Sequence, residues 1–228
     1  FVQMLFYHDH FMLDSIILGQ GKDHFMDFFN HIAYCSIPDK TYFQSVHACF
    51  PAFAYIFYYF LNQLLPSNSI TIFQANATSG YGYLVYLVYT ASLLITFYFS
   101  IDILLDNKRQ DFTFLVLLQL IFSYPFVAGV FERGNAAFLV LVLLLIALYF
   151  RQKEGFLAKE SALILIACAV GFKVYPIVFV LLYLSERRYK EAVRLVIYAG
   201  LIFFLPFIFC GGVIGFYKFI SNQMHVQA

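Results

Sequence analysis

Three short stretches carry the side chains whose types and spacing could do chemistry. In KDHFMDFFNHIAY, residues 22–34, His24, Asp27 and His31 recur at spacings of three and four, which puts them on one face if a helix forms. Imidazole and carboxylate in that pattern suit a metal site, or a carboxylate base at a surface beside polar helpers; a solvated polar loop is the plain alternative. His8-Asp9-His10 lies upstream as a further imidazole pair. In FERGN, residues 131–135, Glu132, Arg133 and Asn135 surround Gly134. That mixture can grip a phosphate or sugar hydroxyls, although Gly-Asn is also common turn chemistry. In AVGFKVYPIVF, residues 169–179, Lys173 stands in a run that is otherwise apolar over 162–184. An ammonium at such a place costs several kcal/mol unless paired or solvated, and it reads as a group facing an anion. A lysine snorkelling from one long tilted helix is the alternative.

The elements that must position these residues follow from composition. Hydrophobic residues make up 62% of the chain and charged ones 12%, with a mean hydropathy of +0.79. Soluble domains are roughly one-half apolar and one-quarter charged, so this is an integral membrane protein and the lipid bilayer is its first partner. A formal net charge of +1, with no polybasic face, offers nothing to nucleic acid. The four cysteines show no CxxC spacing. Cys35 and Cys49 could pair on an oxidising side, while Cys168 and Cys210 sit in apolar runs as small hydrophobes. The opening at Phe1 and the polar ending SNQMHVQA read as a piece of a longer chain, with a spanning helix expected before Phe1 and further spans after Ala228.

A spanning helix needs about 20 apolar residues. Residues 81–105 qualify; 113–130 and 136–150 are near the short limit, and 195–210 is the last run, ending at a Gly211-Gly212 pair that would close a helix. The loops 106–111, 151–159 and 187–194 hold two, three and four of the fourteen lysines and arginines. Basic loops stay cytoplasmic. Both ends of the run 161–184 are then on one side, so a single crossing fails. Gly171 and Pro176 resolve this, since glycine ends a helix readily and proline can begin one but not continue one. A helical hairpin over 161–184 is predicted, its turn at Lys173 opening into a protein-lined cavity. This topology sends FERGN, Lys173 and residues 1–80 to the outer side. Residues 49–65 lie between Pro51 and Pro66 and are rich in aromatics, which predicts an interfacial helix there. The sequon Asn76-Ala77-Thr78 lies in the loop that follows. The outer segment is concentrated in polarity: its first 47 residues hold five of thirteen acidic residues and five of six histidines.

FERGN, an apolar span, a basic loop and then GFKVYP resemble the integral-membrane glycosyltransferases of the C-type fold, especially glycosyltransferase family 87, the polyprenol-phosphate-mannose-dependent mannosyltransferases. The resemblance runs from FMDFFN to the FCGG near the end. Asp27 matches the acidic base of the first outer loop, and Lys173-x-x-Pro176 matches the lysine-and-proline turn. Phe50-Pro51-Ala52 occupies the place of a Tyr-Pro-Pro-Leu motif, with one proline and the tyrosine absent. The resemblance implies an all-α polytopic bundle with an extracytoplasmic catalytic loop at 1–80 and a transmembrane core over 81–228. It also implies transfer of a hexose, mannose above all, from a polyprenyl-phosphate donor to a glycan or glycolipid acceptor outside the plasma membrane. Asp27 would be the base; Arg133, Asn135, Lys173, Glu132, Tyr175 and His31 would bind substrate. With Arg133 and Lys173 to offset the donor phosphate, no metal or other cofactor is expected. A transporter or flippase for an anionic or lipid-linked substrate is the second class, for which Lys173 would lie in a through-going path.

Overall fold

The computed structural model describes residues 25–44, 48–65, 80–105 and 110–226. Among them there is no strand. The helices are α1 (Met26–Tyr34), α2 (Ala52–Asn62), α3 (Gly80–Leu104), α4 (Gln110–Ile121), a π-helix (Pro125–Glu132), α5 (Ala137–Arg151), α6 (Phe156–Phe172), α7 (Val180–Ser185), α8 (Tyr189–Phe204) and α9 (Gly212–Val226). Short 3₁₀ turns at Pro38–Lys40, Tyr175–Phe179 and Leu205–Ile208 join them. The chain is an all-α polytopic membrane protein. By length and apolar character, α3 and the stretch Tyr189–Ile208 can each cross a bilayer; at 1.5 Å per residue α3 reaches about 37 Å, more than the hydrocarbon core.

The expected straight span over 113–130 is broken. α4 and the π-helix meet at 73°. Pro125 has no N–H to continue α4, and Ser123 serves the gap: its hydroxyl donates to the Leu120 carbonyl at 2.7 Å and accepts from the Phe126 N–H at 3.4 Å. The bend aims residues 125–132 back across α5, so that the segment 133–136 starts α5 at one end of the bundle.

α6 is the centre of the bundle, packed between α5 and α8. It ends at Phe172, and Lys173 adopts an extended backbone, φ −144° and ψ 131°, before the 3₁₀ turn that carries Pro176. The chain then returns. Arg151, at the end of α5, pairs with Glu186 just after α7, and the guanidinium groups of Arg151 and Arg188 lie 5.6 and 5.1 Å from the Tyr183 ring. The hairpin over 161–184 is therefore present, and its two basic flanks lie side by side. α6 starts at Phe156 and α8 at Tyr189, each earlier than the apolar runs suggested, and polar side chains of their N-terminal halves satisfy one another: Glu160 pairs with Arg194 and accepts from the Tyr198 hydroxyl at 2.6 Å. One end of the bundle thus gathers Arg151, Arg188 and Arg194, and the opposite end gathers the start of α5 and the Lys173 turn.

Gly171 is helical and does not terminate α6 by itself. A Cβ there would lie 2.6 Å from Phe53 on α2 and 2.7 Å from Ile202 on α8, so its lack of a side chain lets three helices close. α2 buries Ala52, Ala54, Tyr55, Tyr58 and Asn62 against this neighbourhood and leaves Phe60 exposed. The Gly211-Gly212 pair does close the preceding helical stretch, with φ of 87° and 61°, but α9 follows at once, which the polar ending had not suggested. Asn222 of α9 donates to the Ala48 carbonyl at 3.1 Å and Gln223 to that of Cys49, so α9 ties down the segment that leads into α2.

Substituting Gly171 and Gly200 separately checks this packing. Nothing lies within 4 Å of a Cβ at Gly200. Gly171→Ala is expected to cost about 1–3 kcal/mol through overpacking, whereas Gly200→Ala in the middle of α8 leaves stability unchanged or raises it by up to about 1 kcal/mol. Thermal unfolding of the two variants in detergent measures the difference, and equal melting temperatures would refute the three-helix contact.

Candidate active site

Helix α1 begins with Phe25 in the left-handed region, φ 60°. Its first turn is docked on the segment that follows the π-helix: the Phe25 N–H donates to the Glu132 carbonyl and the Phe28 N–H to that of Arg133. Gly134 makes this approach possible, because it has φ 73° and a Cβ on it would lie 2.6 Å from that of Phe28. The turn is fixed from α3 as well, where the Tyr86 hydroxyl shares its proton between the carbonyls of Val130 and Phe131 at 2.8 and 2.7 Å.

This docking brings Asp27 onto Arg133 and Asn135. Arg133 donates from Nη2 at 2.9 Å and from Nε at 3.3 Å to Oδ1 of Asp27, and Asn135 donates from Nδ2 to Oδ2 at 2.9 Å. Asn135 is itself oriented, since its Oδ1 accepts the Ala137 N–H at the start of α5 at 3.0 Å. Burial pushes the Asp27 carboxyl up, but the Arg133 and Asn135 hydrogen bonds outweigh it and hold the group below the usual carboxylate range. Asp27 is an ionised acceptor whose side chain remains 19% exposed.

One turn further along α1, His31 is 6% exposed. Its ring stacks on Phe50 with centroids 3.9 Å apart, and its Nδ1 lies 3.3 Å from the Tyr55 hydroxyl. Burial drives its pKa down to about 3, against the pull of Asp27 and with the push of Lys173, so the imidazole is neutral at physiological pH. Lys173 reaches the same place from the hairpin turn, its ammonium 4.1 Å from the centre of the Phe50 ring. The site is thus a row: Asp27 held by Arg133 and Asn135, then His31, then Phe50, then Lys173.

Five of the seven expected site residues meet in this row. Glu132 contributes its carbonyl to the docking of α1. Tyr175 is 57% exposed on the turn after Lys173. Arg133, expected on a phosphate, is bound to Asp27, a pairing that spacing could not show because the residues are 106 positions apart. The metal alternative needs His24, which lies outside the described residues together with His8, His10, Asp14, Asp23, the Asn76 sequon and Lys108-Arg109. Of that trio, Asp27 and His31 are engaged as above, and among the described residues no cluster of three metal-ligating side chains occurs. Cys35 and Cys49 are free thiols, and Cys35 donates to the Ile32 carbonyl. Phe50, Tyr55 and Tyr86 were given no role by the sequence; the Phe50-Pro51-Ala52 match marked only the place.

The model of glycosyltransferase family 87 matches residues 49–225. No curated protein and no solved structure matches the chain. The matched stretch is well over half of the chain and contains Phe50, the 132–135 segment and Lys173, while Asp27 precedes it. Together with the apolar spanning helices, this match places the chain in glycosyltransferase family 87, as an integral-membrane glycosyltransferase.

Proposed function

We propose that the chain transfers mannose from a polyprenyl-phosphate donor to a hydroxyl of a glycan or glycolipid acceptor at the extracytoplasmic face of the plasma membrane. The observation that carries this reading is the convergence of an ionised, half-buried carboxylate, Asp27, with two cations, Arg133 and Lys173, at the bundle end opposite the basic loops. Basic flanks favour the cytoplasmic side, which supports placing the site outside. The remaining exposed apolar surface of α3, including Leu84, Leu87, Val88 and Ile95, suits lipid contact, and a lipid-linked donor needs no nucleotide-phosphate loop.

In this mechanism the acceptor hydroxyl attacks the anomeric carbon and passes its proton to Asp27. Each carboxylate oxygen has two acceptor sites, and Oδ2 receives one N–H, from Asn135, so an acceptor hydroxyl can bond there. The bond between the anomeric carbon and the phosphate oxygen breaks, and polyprenyl phosphate leaves with the electron pair and a second negative charge. Lys173 and Arg133 stabilise that charge as it develops. Arg133 presents five donors in one plane, enough to span a carboxylate and a phosphate and so to set base and leaving group at a fixed separation. Asn135 and His31 shape the acceptor side of Asp27, the exposed Tyr175 faces the substrate, and Glu132 supports the set through its carbonyl on α1.

Three outcomes are expected. Asp27→Asn lowers transfer of radiolabelled mannose from polyprenyl phosphate in membranes by about 10²–10⁴-fold while the protein remains inserted; near-normal activity would remove Asp27 from the chemistry. The pH profile follows from the sign of its shift. Asp27 must be ionised, and its pKa is held below the usual value, so the acid limb of the kcat/KM profile lies below the range of an ordinary carboxylate. Arg133→Gln removes the guanidinium charge and its hydrogen bonds, leaving burial opposed by Asn135 without Arg133, so the acid limb of the kcat/KM profile moves to higher pH; an unmoved limb would show that another group titrates. Finally, because two side-chain cations offset the phosphate, a chelator leaves transfer unchanged, and loss of activity restored by a divalent ion would overturn that.

A further inference from the structure

We infer that Phe50 is a positioning residue for Lys173: its ring, stacked on the imidazole of His31, is the seat that holds the ammonium at the site without consuming its hydrogen-bond donors. The inference rests on the proposed role of Lys173 in binding the donor phosphate. The imidazole centroid lies 3.9 Å and the ammonium 4.1 Å from the same ring centre, so the phenyl ring is in contact with both. Among the described residues Lys173 forms no ion pair with a carboxylate. Its charge is met instead by the negative face of an aromatic ring, an attraction that strengthens as water is removed. A carboxylate partner would neutralise the lysine and compete with an incoming anion; a ring does neither, and leaves three N–H donors for phosphate oxygens.

The backbone around Phe50 is built to fix that ring. The Phe50 N–H donates to the Tyr55 hydroxyl at 3.3 Å and its carbonyl accepts from the Tyr42 hydroxyl at 2.8 Å. Tyr55 also faces His31 Nδ1, so one hydroxyl ties the backbone of Phe50 to the ring stacked on it. The two preceding carbonyls, of Ala48 and Cys49, are held by Asn222 and Gln223 from α9, and Pro51 fixes the next residue at φ −58°. The residue as a whole is 7% exposed. Ordinary core packing would not require an immobilised backbone on both sides of a phenylalanine that presents one face to a cation.

The test compares Phe50→Leu, which keeps apolar bulk, with Phe50→Tyr, which keeps the ring. Phe50→Leu is expected to raise KM for polyprenyl-phosphate mannose about tenfold, as losing a desolvated cation–π contact would, with a smaller change in kcat, and Phe50→Tyr to restore it. A readout independent of the donor is the proton resonance of ¹³C-methylated lysine in the full chain in lipid nanodiscs, assigned by its loss in Lys173→Arg. Over a ring face the Lys173 methyl signal lies upfield of the other lysines, and Phe50→Leu returns it to their position while Phe50→Tyr does not. An upfield signal with no transfer of mannose would sink the donor assignment and leave the seat standing. A wild-type Lys173 signal among the other lysines would overturn the seat, whether or not Phe50→Leu folds, and so would an unchanged KM in a folded Phe50→Leu variant.

Discussion

The contact on which the site depends is the double hold on Asp27, with Arg133 on one carboxylate oxygen and Asn135 on the other. It joins the first described helix to the start of α5 across more than a hundred residues, and each side is organised for it. On the α5 side the bend at Pro125 turns the π-helix, Tyr86 clamps two of its last carbonyls, and Gly134 supplies the backbone conformation that lets the loop touch α1. On the α1 side the first N–H groups go to Glu132 and Arg133 carbonyls, and Asp27 sits in the first turn, where the helix dipole favours a negative charge. A half-buried carboxylate is costly unless its oxygens are satisfied. Here the satisfaction and the docking are the same set of bonds, so loss of either would release the other.

The second constraint is the length of the hairpin arms. α6 has 17 residues and rises about 25 Å, less than the hydrocarbon core of about 30 Å, and the return arm is shorter. A turn at that depth exposes backbone groups that lipid cannot serve. The protein covers them with α2, whose Phe53 and Phe57 pack edge-on against Phe172, and with the 48–50 segment held by α9. Lys173 therefore emerges among aromatic rings, and Gly171 is small so that α2 and α8 can both reach the end of α6.

How much of this was legible in the sequence depends on whether the cause was local. Loop charge determined the parity of the run 161–184, and parity with Gly171 and Pro176 was enough to foresee the hairpin and to put Asp27, Arg133, Asn135 and Lys173 at one end. The reason for Gly171 was not legible, because its contacts come from Phe53 and Ile202. The bend at Pro125 was masked by a continuous apolar run, in which the proline was the only sign. α9 was missed because its polar residues face carbonyls of a distant segment. Phe50 carried no contrast in a chain with 30 phenylalanines and 18 tyrosines: only the neighbours of a ring, not its type, tell a cation's seat from core.

The two kinds of charge at the site are stabilised in opposite ways, and the difference accounts for their separation. Asp27 is held by donors that keep it ionised and oriented; Lys173 is held by a ring that leaves its donors unused. Had the two met directly, each would have satisfied the other, and neither an acceptor hydroxyl nor a phosphate would gain much by displacing it. The intervening pair His31 and Phe50 prevents that meeting. His31 can fill the gap only as a neutral ring, since an imidazolium would lie against a phenyl ring that already faces an ammonium, and burial with its pKa of about 3 keeps it so. In the proposed reaction this spacing is what lets one end of the bundle offer a base and an anion seat simultaneously, with the sugar between them.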